Sequence, residues 1–259
     1  MAAIRALFAL SFVIVLPLWS LAFSYGTSLI MVYAFIAIAS GTIVALLLTR
    51  WPAAAPAGWN DRKSGISFLA ALRELLAGAV MLRLGVIAAV QAGVTLYMML
   101  LGLILTASAG RGTSDTSLFA GLVAGLEVPF MLLVPLLLNR VSKSAVIAGA
   151  ALIHAGFLAT FPMVAANPAV WLLVLPAAIG AAVTLSVPIA YMQDLMSERP
   201  EAGGALIAVL GVTSQIIAAA VFAVGTALSG YGFAAVLGAA LAAVAGVALL
   251  VMDRRRAMA

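Results

Sequence analysis

Eight long apolar runs, each bounded by polar or turn-forming residues, leave this chain few ways to fold. They cover residues 6–25, 28–49, 82–106, 118–138, 145–164, 169–191, 204–228 and 233–252. About 20 residues at ~1.5 Å each cross a hydrocarbon core ~30 Å thick, so every run is long enough to span a bilayer. Inside lipid no water satisfies backbone N–H and C=O groups, and a single run can satisfy its own only as a helix. Charged residues make up 8% of the chain and hydrophobic ones 66%. A soluble domain carries about 25% charge. The sequence therefore predicts an all-α, polytopic membrane protein with eight spans and no soluble domain.

The sparse charges say how it should sit. Net charge is +5, but no basic patch interleaves with aromatics, so nucleic-acid binding is not expected. The cations are distributed as a topology signal instead. With the N-terminus in the cytoplasm, Arg5, Arg50, Arg62, Lys63, Arg73, Arg83, Arg140, Lys143, Arg199 and Arg254 to Arg256 all fall inside, and only Arg111 falls outside. Both ends are expected in the cytoplasm. The first run has a rival reading as a signal peptide, with Ala22-Phe23-Ser24 as a small-residue cleavage site. Its length, Pro17 and Trp19 argue against that.

Chemistry is restricted as sharply. With no cysteine there is no disulfide, thiolate metal site or cysteine nucleophile. His154 is the only histidine and has no carboxylate close in sequence with which to hold a metal. No Ser/His/Asp constellation and no phosphate-cradling glycine loop are present, so an enzyme, a cofactor and a metal are not expected.

Glu127 stands out from this background. It lies about 13 Å into the 118–138 run, near the middle of the hydrocarbon. A carboxylate there costs several kcal/mol and should face protein or a wet cavity. Intramembrane acids mark ion or proton pathways by default. The plainer reading is a protonated Glu127 hydrogen-bonded to a neighbouring helix as structural glue. Three further polar groups sit near mid-depth: Gln91 and His154, each about nine residues into its run, and Gln215, about eleven. Each should seek a partner in an apolar medium. Asp194 closes the 169–191 run at the cytoplasmic side, where an ion pair with Arg140 or Lys143 is expected. Pro176, Gly180 and Pro188 read either as hinge points or as ordinary transmembrane kinks.

The longest polar break, 51–81, divides the chain into two spans and six. It opens with the helix-breaking Trp51-Pro52-Ala53-Ala54-Ala55-Pro56, and a short interfacial helix is expected after Ser64 or Ser67. Residues 82–252 then form the six-helix unit, with a basic cytoplasmic tail at 253–259.

Two segments carry a resemblance. Gly125-Leu126-Glu127-Val128-Pro129-Phe130-Met131 resembles the eighth-helix motif of the bacterial sugar efflux transporter family, within the major facilitator superfamily. Tyr191-Met192-Gln193-Asp194-Leu195-Met196 resembles the cytoplasmic end of that family's tenth helix. Leu10 to Leu18 is more loosely similar to its fifth helix, where Gly-Pro-Pro usually stands. The likeness runs in order through nearly the whole chain, as helices five to twelve, and implies four further helices ahead of them. Asn139-Arg140-Val141-Ser142-Lys143 keeps the cations of the family's loop between helices eight and nine but loses its Gly and Asp. Gln91 stands where the family's seventh helix tends to carry Asn near a Tyr, the place of Tyr97.

The resemblance implies a bundle of the major facilitator type in a bacterial inner membrane. Its implied activity is export of sugars or sugar-like compounds by proton antiport. Gln91, Glu127, Gln215 and Tyr97 would then face substrate or proton, while Asp194, Arg140 and Lys143 would act at the cytoplasmic helix ends. His154, on the peripheral ninth helix, is expected to be a satisfied structural histidine. The competing class is a truncated or partner-dependent membrane protein of the same fold that does not transport by itself. An in-frame extension encoding four more spans would favour the first.

Overall fold

The computed structural model describes residues 14–50, 78–195 and 200–258. Among them there is no strand. The helices are α1 (Ile14–Ser24), α2 (Leu29–Arg50), α3 (Gly78–Gly102), α4 (Thr113–Leu138), α5 (Lys143–Val164), α6 (Val174–Leu195), α7 (Pro200–Ser229) and α8 (Tyr231–Met258). A π-helical turn, Leu103–Ser108, prolongs α3, and a 3₁₀ turn, Pro168–Leu173, leads into α6. The expected interfacial helix after Ser64 or Ser67 lies outside the described residues.

Local chemistry explains the ends. Ser142 Oγ accepts from the Ala145 N–H and caps α5 (3.3 Å). Asn167 Oδ1 does the same for Ala169 (2.9 Å), with Pro168 beginning the turn. Between α7 and α8 a single residue, Gly230 (φ 85°), reverses the chain. Pro129, Pro135, Pro162 and Pro188 lie within helices, as membrane helices tolerate.

Six helical stretches are long and apolar enough to cross a membrane: Gly78–Ser108, Thr113–Leu138, Lys143–Val164, Pro168–Leu195, Leu206–Ser229 and Tyr231–Arg254. The chain is thus an all-helical, multi-pass membrane protein. Ile14–Ser24 and Ile30–Leu46 are shorter apolar helical stretches. Helix α8 continues through residues 253–258, so the basic tail expected there is helical and prolongs the span.

Packing within the six is reciprocal. Helix α3 packs on α7 and α8, α6 packs on α4 and α5, and α5 packs on α8. Exchanging the first three helices for the last three returns the same pairings. The largest exception is α7 with α8, which pack broadly where α4 and α5 scarcely touch; α3 also meets α5 more than α6 meets α8. Tyr97, Phe119, Phe157 and Phe161 centre one apolar core, and Leu84, Ile87, Ile147 and Leu249 centre a second. Helix α1 lies on α4. Ser20 Oγ donates to the Ser114 carbonyl (2.8 Å), and Gly121 lets Pro17 approach so closely that a Cβ there would fall 3.0 Å from Pro17 Cδ. Trp19 meets Phe35 of α2 edge-on at 5.5 Å. Most of the remaining α2 surface is exposed.

The charge distribution predicts an orientation that can be tested. A cysteine at Thr113, where α4 begins, is expected to react with an impermeant thiol reagent added outside intact cells. One at Ser142, just past its other end, is expected to be shielded until the membrane is opened. Strong external labelling at Ser142 would invert the topology.

Candidate polar site in the membrane interior

Glu127 is turned inward. It is 7% exposed, while Leu122, Leu126, Leu132, Leu133 and Leu136 of the same helix are exposed. Among the described residues it has neither a hydrogen-bond nor an ion-pair partner. The glue reading requires such a partner. Tyr97 of α3 shares an apolar core with Phe119 and Val123 of the Glu127 helix.

Tyr97 is fully buried, its Oη unpaired. Its ring packs edge-on against His154 (centroids 6.1 Å) and Phe157 (5.2 Å) of α5. Gln91, also on α3, is half-buried and its Oε1 is enclosed without a partner. Gln215 differs: it is exposed on α7. Helices α4 and α7 are not substantially packed on each other, so the structure does not bring Gln215 to Glu127.

His154 is fully enclosed. The Gly93 carbonyl is the polar group that reaches its ring, and neither ring nitrogen meets a well-aligned hydrogen-bond partner. At 1% exposed, His154 points into the junction of α3, α5 and α6. A Cβ on Gly93 would stand 3.5 Å from His154 Cδ2, and one on Gly180 would stand 2.6 Å from both its Cβ and Nδ1. Gly180 is therefore a close-approach glycine under the imidazole, which neither the hinge nor the kink reading anticipated. Gly180→Ala is expected to cost on the order of 1–3 kcal/mol, because the ring has no free direction in which to retreat. A melting curve in detergent, compared with wild type, checks this. Unchanged stability would show that the slot is looser than it looks.

Thr184, one turn beyond Gly180 on α6, is also buried with its hydroxyl unpaired. That is unlike Thr95, Thr106, Thr160 and Thr226, each of which donates to the carbonyl four residues back.

The helix ends hold the remaining charge. Asp194 pairs with Lys143 at 2.5 Å, and Lys143 also donates to the Ala190 carbonyl (3.3 Å). Arg140, the other expected partner, is exposed and forms no ion pair among the described residues. The Lys143–Asp194 pair is solvent-exposed and contributes at most about 1 kcal/mol. Sequence reasoning missed a second knot. Tyr191 Oη donates to Asp253 (2.8 Å), which also pairs with Arg83 (3.5 Å), tying α6, α8 and α3 together. At the opposite end Arg111 Nε donates to the Ala165 carbonyl (2.6 Å), Nη2 to the Asn167 carbonyl (2.9 Å), and the guanidinium pairs with Asp115 (3.2 Å). The Lys143 and Asp253 groups line an open cleft of about 730 Å³ at their end of the bundle, which does not include Glu127.

Comparison with protein-family profiles, with characterised proteins and with solved structures returns no match.

Proposed function

We propose that this chain is a secondary active transporter of the major facilitator type, exporting sugars or sugar-like small molecules in exchange for protons across a bacterial inner membrane. The observation that carries the reading is Glu127: a carboxyl at mid-span, turned inward, with no group among the described residues bonded to it. A group with a fixed structural task would have its partner in place. A group that must gain and lose a proton as a cavity alternates between sides is better left without one. The reciprocal packing of α3–α5 and α6–α8 supports the fold assignment, because two inverted three-helix repeats make such a pairing pattern. Gln91 and Gln215 supply amides suited to sugar hydroxyls. On this reading α1 and α2 are also spans, making eight, and both ends are cytoplasmic.

A second reading has its own observation. Helix α7 carries an exposed face over most of its length, and Gln215 stands on it at mid-depth. An amide is costly to leave facing lipid. This favours a chain that works only with a partner covering that face.

The test is transport in reconstituted vesicles. With an imposed pH gradient, uptake or release of labelled mono- and disaccharides is followed with and without a protonophore. Proton-dependent movement of at least one sugar is expected. Correctly inserted protein that moves none of them, and lets no protons pass when they are added, would reject the transporter reading.

A further inference from the structure

The two halves of the six-helix unit repeat one another in burial. With one constant shift along the chain, Phe119, Val123 and Glu127 of α4 fall on Leu206, Leu210 and Ser214 of α7, and all six are buried. The same shift carries Gly121 to Ala208. Gly121 is where α1 sits, since a Cβ there would meet Leu16 and Pro17. Ala208 is exposed. Helix α7 thus repeats the seat that α4 offers, and among the described residues that seat is open.

Its surface suits a helix better than lipid tails. The exposed side of α4 is bulky, with Leu122, Leu126 and Leu132. On α7 the exposed residues at helical spacing are Ala208, Val212, Gln215, Ala219 and Ala223. Small residues let backbones approach, and a mid-depth amide seeks a hydrogen bond across the contact.

Helix α2 carries a matching surface. It faces α1 with Val32, Phe35, Ala39 and Ile43. On the opposite side Ala34, Ala37, Gly41 and Ala45 are exposed, and a Cβ on Gly41 would meet nothing within 4 Å. Ser40 and Thr42 flank Gly41, and Thr42, whose hydroxyl donates to the Ile38 carbonyl, keeps its oxygen free to accept. Depth agrees as well. Gly41 is nine residues from Arg50, where α2 ends, and Gln215 is nine from Leu206, where the apolar part of α7 begins. On the proposed topology both of those ends are cytoplasmic, so each residue lies about 14 Å into the membrane. Odd and even spans run in opposite directions, so α2 would meet α7 antiparallel, as α1 meets α4. Within one chain this contact is not made: α2 is held on α1, and both surfaces are exposed. A second copy supplies both.

We propose that the open seat on α7 takes α2 of a second copy of this chain. Two copies associate about a two-fold axis, each α2 lying on the other's α7, with Gly41 level with Gln215 and the Ser40 and Thr42 hydroxyls beside the amide. This rests on the partner-dependent reading of α7 and names the partner.

The chain has no cysteine, so introduced thiols report alone. Full-length Gly41→Cys carrying one tag and Gln215→Cys carrying another are reconstituted together in lipid vesicles and oxidised. A disulfide-linked band with both tags is expected. Single-molecule photobleaching of the chain without these substitutions should count two copies, and Gln215→Leu should weaken their association roughly tenfold. Several results would overturn the pairing. Gln215→Cys that crosslinks to itself puts α7 on α7. A chain with both substitutions that closes its disulfide internally puts α2 on its own α7. A correctly inserted chain that stays monomeric, a dimer in which the two positions never crosslink, or an association that Gln215→Leu leaves unchanged each rejects this interface. Sugar movement in the same vesicles is scored separately. A monomer that transports rejects the partner-dependent reading too, whereas a monomer that does not leaves that reading with a different protein as partner.

Discussion

On the proposed transporter reading, Glu127→Gln is expected to abolish sugar export driven by an imposed pH gradient, leaving rates at the level of protein-free vesicles, while membrane insertion and thermal stability stay near wild type. The substitution keeps size and polarity and removes only ionisation. A proton carrier cannot survive that, whereas a structural hydrogen-bonding group can. Binding of sugar should persist in the Gln variant and lose its dependence on pH. Glu127→Leu sharpens the distinction. Were the carboxyl holding two helices together, Leu would strand its partner and lower stability by about 1–3 kcal/mol. No partner is present among the described residues, so the Leu variant is expected to be at least as stable as wild type, since it also removes a buried ionisable group. Inactive but stable for both variants is the signature of a residue retained for function. Wild-type transport by the Gln variant would end the proton-carrier reading.

The broad architecture could be read because lipid leaves so few options. Apolar runs of sufficient length became helices, and each of the last six spans appears within a few residues of its expected place. The existence of Glu127 as a special group was equally legible, since one carboxyl in an apolar run needs no structure to be noticed. Its direction was not. A helix apolar all round has no stripe to mark the buried side, so only packing shows that Glu127 turns inward while Leu126 and Leu132 are exposed. Gly180 was visible as a glycine, but its purpose depends on His154, twenty-six residues earlier on another helix. The setting of His154 could not be read from the sequence, because it comes from Gly93, Tyr97 and Gly180, none adjacent to it in sequence. Asp253 failed for a different reason. It precedes three arginines and read as the start of a solvated tail, whereas α8 carries it on helically to meet Tyr191 and Arg83.

Two glycines on α7 should respond in opposite ways to the same substitution. Gly225 sits where α7 crosses α8: a Cβ there would fall 2.6 Å from Ala234 Cβ and 2.8 Å from its backbone nitrogen. Backbone cannot rotate aside as a side-chain tip can, and Gly230, five residues on, turns the chain directly into α8, leaving little slack between the helices. In lipid such close approaches are a main source of helix association. Gly225→Ala is therefore expected to cost about 3 kcal/mol, the upper part of the usual range for overpacking, by prising α7 from α8. Gly211 lies on the same helix, and a Cβ added there would meet nothing within 4 Å. At that position alanine only restricts the unfolded chain and improves helix propensity, so a gain of about 0.5–1 kcal/mol is expected. Unfolding of both variants in the same detergent or bilayer provides the comparison. The gain at 211 also tests how the protein is assembled, because it holds only while that side of α7 meets lipid or water. If Gly211→Ala is neutral in detergent yet destabilising in the native membrane, another helix must lie against it there. That result would favour the partner-dependent reading and make Gln215, one turn further along, the natural hydrogen-bonding contact for it.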